Sequence, residues 1–90
     1  MSLRDNTAER RYELENDGVT SFCDYRDTGI GRMLTHVETP EAARGRGHAA
    51  KLMAAIVESA RTAGLKLTPR CSYAVAYFRR HPDDVADVEA

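Results

Sequence analysis

The residues best suited to chemistry form a short glycine-rich segment near the middle of the chain, Arg44-Gly45-Arg46-Gly47-His48-Ala49. Glycine lets a backbone turn tightly and approach a ligand closely. A helical pattern starts directly after this segment. The free N–H groups of a helix's first turn, together with the helix dipole, favour an anion at that position. Because two arginines add positive charge, the segment predicts a binding site for a phosphate-bearing ligand.

The elements before this segment predict an antiparallel meander. Its three strands are expected over residues 10–14, over residues 19–25, and from Gly31 or Arg32 to Glu38. The turn Asn16-Asp17-Gly18 is a strong hairpin signal, and Asp27-Thr28-Gly29 starts a second turn. Pro40 ends the third strand.

The elements after the segment predict a crossover and a last helix. Apolar residues recur at helical spacing from Gly47 to Ala63, and Gly64 is a natural C-terminal cap. A short strand follows over residues 65–68, then a helix over 73–80 that Ser72 would cap. A strand–helix–strand crossover makes the fourth strand parallel to the third. The predicted fold class is α/β (α+β), and ligands should bind beyond the carboxyl ends of the parallel strands.

Length and composition predict one small globular domain over residues 1–90, with residues 1–9 and 84–90 loosely ordered. The chain is 42% hydrophobic and 30% charged. It contains no apolar run long enough to span a membrane and no apolar leader. Cys23 and Cys71 lack the paired spacing of metal ligands. We therefore expect reduced thiols, no metal, no membrane partner and a cytoplasmic protein.

Charge is unevenly distributed along the chain. Residues 41–82 carry eight basic and two acidic side chains, whereas residues 1–40 and 83–90 are both net acidic. The basic stretch contains the glycine-rich segment, so it could attract a polyanionic ligand. The acidic ends, and the lack of interleaved aromatic residues, argue against nucleic acid as a partner.

The glycine-rich segment matches the pyrophosphate motif (Arg or Gln)-x-x-Gly-x-(Gly or Ala) of the GNAT N-acetyltransferase superfamily. More narrowly, the stretches THVETPEAARGRGHAAKLMAAIVESAR and LTPRCSYAVAYFRRHP resemble the minimal GNAT-like proteins. Those proteins lack the substrate-side helices and the last strands of larger relatives. The resemblance covers about residues 10–85 and implies a truncated GNAT-like fold with acetyl-coenzyme A (acetyl-CoA) as co-substrate.

The resemblance also implies where the cofactor binds. The main-chain amides expected to hold its pyrophosphate are those of Gly45, Arg46, Gly47, His48, Ala49 and Ala50. The side chains of Arg44 and Arg46 would add charge, whereas that of His48 should lie at the surface. Backbone groups of Val37 and Thr39 would pair with the pantetheine arm. Ser72 and Tyr73, at the start of the last helix, are assigned to the same site.

Three residues are candidates for catalysis. Cys71 matches a cysteine that minimal relatives carry after the last strand, and a helix N-terminus beside Arg70 favours a thiolate. It could accept the acetyl group or only line the acetyl pocket. His36 and Glu38 share a face of the third strand; either could be the general base, or the two could be a simple surface pair. Larger relatives place a tyrosine acid where this chain has Phe78, which cannot donate a proton.

The resemblance implies an acetyltransferase that uses acetyl-CoA and transfers acetyl to an amine of a small molecule, peptide or protein. The open substrate side favours a protein or peptide acceptor, or a partner subunit that completes the site. The alternative is a coenzyme A-binding module with little or no catalytic activity, which the phenylalanine at the acid position favours.

Overall fold

A computed structural model describes residues 2–90 of the chain. The strands are β1 (Ser2–Asn6), β2 (Arg11–Asn16), β3 (Val19–Asp27), β4 (Gly31–Glu38) and β5 (Lys66–Pro69). The helices are α1 (His48–Ala63), α2 (Ser72–Arg80) and α3 (Pro82–Val85), and a 3-10 turn covers Glu41–Ala43.

The strands form one sheet in the order β1-β2-β3-β4-β5. The first four strands are antiparallel, and β5 is parallel to β4. The α/β class and the parallel crossover through α1 are therefore confirmed. This sheet has four antiparallel strands rather than the predicted three, because residues 2–6 add an edge strand to β2. The polar sequence SLRDN gave no alternating signal, since an edge strand leaves most of its side chains in water.

The core lies between one face of the sheet and helices α1 and α2. Helix α1 buries most of the stripe predicted from its periodicity, although Ala49 is only half-buried and Ala63 is exposed. Strand β3 buries alternate residues as expected. The buried core side chains are Tyr12, Leu14, Cys23, Tyr25, Leu34, Leu52, Met53, Ile56, Val57, Ala60, Leu67, Ala74, Tyr77, Phe78, Val85 and Val88.

The C-terminal segment packs along β5. Val85 and Val88 are buried in the core, and the N–H of Leu67 donates to the carbonyl of Val88 at 2.6 Å. The N–H of Ala90 donates back to the carbonyl of Leu67 at 2.9 Å. The tail is therefore packed, whereas the sequence predicts loose order for residues 84–90. The sequence is misleading here because four acidic residues surround the apolar Val85 and Val88.

Candidate active site

The sheet opens at the carboxyl ends of its two parallel strands. Strand β5 pairs with β4 only as far as Leu34 and Pro69. The N–H groups of Arg70 and Cys71 then both donate to the carbonyl of Leu34, at 3.0 and 3.2 Å. Because the chain turns there into α2, residues 35–38 of β4 have no partner from β5. A cleft between β4 and β5 therefore begins at Leu34.

A β-bulge in β4 decides which side chains face the core. Leu34 pairs with Tyr25 and His36 pairs with Asp24, so Thr35 is the extra residue. The hydroxyl of Thr35 donates to the carbonyl of Asp24 at 3.2 Å. The insertion puts His36 on the opposite face from Leu34, whereas regular pleating would put both on the core side.

The glycine-rich segment turns through two glycines in the left-handed region. Gly45 has φ +82° and Gly47 has φ +81°, which L side chains rarely adopt. A Cβ built at either position would meet no atom within 4 Å. Gly47 is the N-cap of α1 and makes no side-chain capping bond. The backbone at both glycines is therefore open to a ligand.

The main-chain N–H groups of residues 45–50 are uncommitted. None of them donates to an acceptor anywhere in the described chain, residues 2–90. The first bonded amide of the helix is that of Lys51, which donates to the carbonyl of Gly47 at 3.1 Å. These free donors converge with the positive end of the α1 dipole, so the segment is suited to an anion.

These donors border a cavity of about 220 Å³, which we call the cradle. Its walls come from the end of β4, the glycine-rich segment and the start of α2. The lining residues are Thr39, Ala43, Arg44, Gly45, Gly47, His48, Ala49, Ala50 and Tyr73. The structure thus brings together predicted site residues from three separate stretches of sequence. The side chain of Arg44 stays close, because its Nε donates to the carbonyl of Thr39 at 3.1 Å.

Three residues assigned to the cofactor do not line the cradle. Arg46 and Ser72 are exposed, and Val37 packs against the core.

Ser72 is the first residue of α2 and does not cap it. The cap is Cys71, whose Sγ accepts a hydrogen bond from the N–H of Ala74 at 3.4 Å. The predicted Ser72 cap is wrong by one residue because the helix starts one residue earlier than its apolar spacing indicates.

His48 is buried rather than at the surface, with only 6% of its area exposed. Its Nδ1 lies 3.4 Å from Nδ2 of Asn16, in the β2–β3 hairpin. An amide nitrogen can only donate, so Nδ1 is the acceptor in this contact. Spacing within the motif could not reveal this contact, because its partner lies in a distant turn.

Cys71 is half-buried at the edge of the core, at the end of the cleft between β4 and β5. Cys23 is fully buried in the core, as predicted. Burial, and then the electrostatic influence of Cys71 and Asp24, raises the pKa of the Cys23 thiol to about 12. Cys23 is therefore protonated and unreactive near neutral pH.

His36 and Glu38 form a pair on the open face of β4, as the sequence predicts. His36 Nε2 lies 3.5 Å from Glu38 Oε1, and both side chains are about half exposed. The ring of Phe22 on β3 lies 6.1 Å from the His36 ring. The pair is accessible to a substrate, since none of the described helices covers this face near it.

The two aromatic candidates on α2, Tyr73 and Phe78, lie in different environments. Phe78 is 4% exposed and belongs to the core, so the position of the usual acid points away from solvent. Tyr73 is 37% exposed and lines the cradle. Partial burial raises the pKa of Tyr73, against a smaller lowering by Arg80. Tyr73 is therefore a protonated phenol that can donate a hydrogen bond into the cradle at neutral pH.

Part of the free positive charge of the basic stretch lies at or beside the cradle. Arg61, near the far end of α1, pairs with Asp87 at 2.6 Å, and Lys66 Nζ donates to the carbonyl of Asp87 at 2.8 Å. By contrast Arg44, Arg46 and Lys51 form no ion pair with any residue in the range 2–90. The acidic tail thus neutralises the end of the helix that is distant from the cradle.

A second, more open groove of about 540 Å³ lies between β1 and the later turns of α1. Its walls include Leu3, Ala55 and Ala63, with Asp5 and Glu58 as its charged members. Its charged side chains are both carboxylates, so it does not compete with the cradle as an anion site. Residues 2–90 contain no group of three metal-ligating side chains. No helix within them is long and apolar enough to cross a membrane.

Comparison with known proteins agrees with this geometry. A family model described as GCN5-related N-acetyl-transferase matches residues 11–88. A search of curated proteins gave no match. The matched range contains the β4 bulge, the glycine-rich segment, α1 and Cys71. The chain therefore belongs to the GCN5-related N-acetyltransferase family.

Proposed function

We propose that this protein is an acetyl-CoA-dependent acetyltransferase that acts on amines. The observation that carries the proposal is the run of uncommitted main-chain N–H groups at residues 45–50, since all of these residues except Arg46 line the cradle. Such groups at a helix N-terminus bind phosphate oxygens. Family membership supports acyl transfer in general.

The cleft beyond Leu34 suits the pantetheine arm. An extended ligand can add to an unpaired strand edge through main-chain hydrogen bonds. We assign this contact to the backbone of Val37 and Thr39, at the end of β4 that β5 leaves unpaired. Arg44 and Tyr73, at the cradle walls, would contact the diphosphate, and Arg46 would add charge from outside.

The proposed chemistry starts from Cys71. Acetyl-CoA supplies a thioester, and exchange of one thiolate for another needs no strong general acid. Such an exchange does not need the tyrosine acid of larger relatives, whose position in this chain is taken by the buried Phe78. The N–H of Ala74 donates to Cys71 Sγ at 3.4 Å and so holds the sulfur at the start of α2. The Cys71 sulfur would attack the acetyl carbonyl carbon, and the bond from that carbon to the CoA sulfur would break with release of CoA as thiolate. The amine nitrogen would then attack the same carbon, and Cys71 would leave as thiolate.

The amine must lose a proton to attack. Glu38 or His36 would accept it, directly or through water, because both lie exposed on the open face of β4. This face has no covering helix in the described chain, so the acceptor amine can belong to a peptide or protein. Both cysteines are free, in keeping with the reducing compartment that we propose, the cytoplasm.

Incubation with acetyl-CoA labelled in its acetyl group tests the function. We expect label on Cys71 in the absence of acceptor, and its transfer to a lysine-containing peptide or a polyamine. Mass spectrometry of intact protein and acceptor measures both steps. Absence of label on protein and on every amine, with CoA still bound, would instead support the second candidate, a CoA-binding module. The burial of Phe78 favours that candidate, since the usual acid is missing.

A further inference from the structure

Thr39 has a side-chain oxygen without a partner. Only 7% of the residue is exposed, and its Oγ1 makes no hydrogen bond within residues 2–90. It is the one buried side-chain nitrogen or oxygen in that range for which this holds. Buried hydroxyls in folded proteins nearly always have a partner. An orphaned hydroxyl in the wall of a cavity therefore points to a ligand.

The position of Thr39 indicates which ligand group it would meet. It directly follows β4 and lines the cradle with Gly45 and Gly47, whose free amides favour an anion. Arg44 lies against Thr39, with its Nε on the Thr39 carbonyl at 3.1 Å. A hydroxyl placed among amide donors and a guanidinium can donate its proton to the same anion.

We propose that the Thr39 hydroxyl donates a hydrogen bond to a phosphoryl oxygen of the CoA diphosphate and so contributes to affinity for the cofactor. The contact adds a side-chain donor to the main-chain donors. Because Oγ1 is shielded from bulk water, binding requires the groups that cover it to move aside. The inference rests on the proposed function.

The test is Thr39→Val, which keeps the shape and β-branching of threonine and removes only the hydroxyl. We expect CoA and inorganic diphosphate each to bind about tenfold more weakly, since one hydrogen bond to a charged group is lost. The melting temperature of the free protein should stay the same or rise, because an unpaired buried polar atom is removed. Calorimetric titration and thermal unfolding measure the two quantities. Thr39→Ser should keep the wild-type affinity.

Thr28→Val is the matched control, at the other end of β4. The hydroxyl of Thr28 accepts a hydrogen bond from the N–H of Gly31 at 3.0 Å. Its loss should lower the melting temperature and leave CoA affinity unchanged, the reverse of the Thr39 pattern. If wild-type protein binds CoA and Thr39→Val binds it equally well, this inference is wrong and the proposed function stands. If the wild type binds neither CoA nor diphosphate, the proposed function itself fails.

Discussion

Gly47→Asp should weaken CoA binding by roughly 100-fold while the fold is retained. An aspartate at an N-cap accepts hydrogen bonds from the amides of the first helical turn. In this chain those are the free amides of Ala49 and Ala50, so the new carboxylate would occupy the donors that the diphosphate needs. It would also repel the phosphate. Calorimetric titration with CoA measures the affinity, and thermal unfolding checks the fold.

Two asparagine variants separate the effect of the added charge from that of backbone strain. Gly47→Asn caps the same amides without charge, so its affinity should fall between those of the wild type and Gly47→Asp. Gly64 has φ +71° at the other end of α1, and Gly64→Asn repeats the backbone strain away from the cradle. It should bind CoA as the wild type does. Wild-type affinity in Gly47→Asp would show that the phosphate lies elsewhere.

Cys71→Ser should lower turnover by roughly 100-fold or more with little change in CoA affinity. A serine hydroxyl can accept the N–H of Ala74 as the sulfur does, so the cap of α2 and the fold are kept. A hydroxyl is a far weaker nucleophile than a thiolate and a poorer leaving group. Steady-state transfer and trapping of the acetyl-enzyme measure the effect.

Cys71→Ala provides the comparison, because it removes both the nucleophile and the cap. It should lose turnover as the serine variant does and also lose about 1 kcal/mol of stability. Cys23 cannot replace the missing thiol, since burial raises its pKa to about 12. Full turnover in Cys71→Ser, with a loss only in Cys71→Ala, would mean that Cys71 caps α2 and is not the nucleophile.

The parts of the fold that the sequence predicts are those with local periodic signals. Alternation along β3 and the helical spacing from Gly47 to Ala63 each report a buried face directly. The motif of alternating arginine and glycine predicts a tight turn before α1, and both of its glycines have positive φ there. These signals were sufficient to predict the crossover and the location of the cradle.

The remaining features depend on contacts between distant residues. The bulge at Thr35 depends on the register against β3, and the burial of His48 depends on Asn16 in another hairpin. Cys71 caps α2 because the carbonyl of Leu34 holds the preceding backbone. The unpartnered hydroxyl of Thr39 is visible only once every neighbour is in place. None of these is encoded by spacing along the chain.

A CoA titration of ¹⁵N-labelled protein followed by NMR tests the main-chain cradle most directly. We expect the amide resonances of Gly45, Gly47, Ala49 and Ala50 to shift the most and to saturate together, and inorganic diphosphate to move the same peaks. Amides at the far end of α1, such as that of Gly64, should hardly move. If CoA binds while the resonances of residues 45–50 stay in place, the main-chain cradle is not the phosphate site.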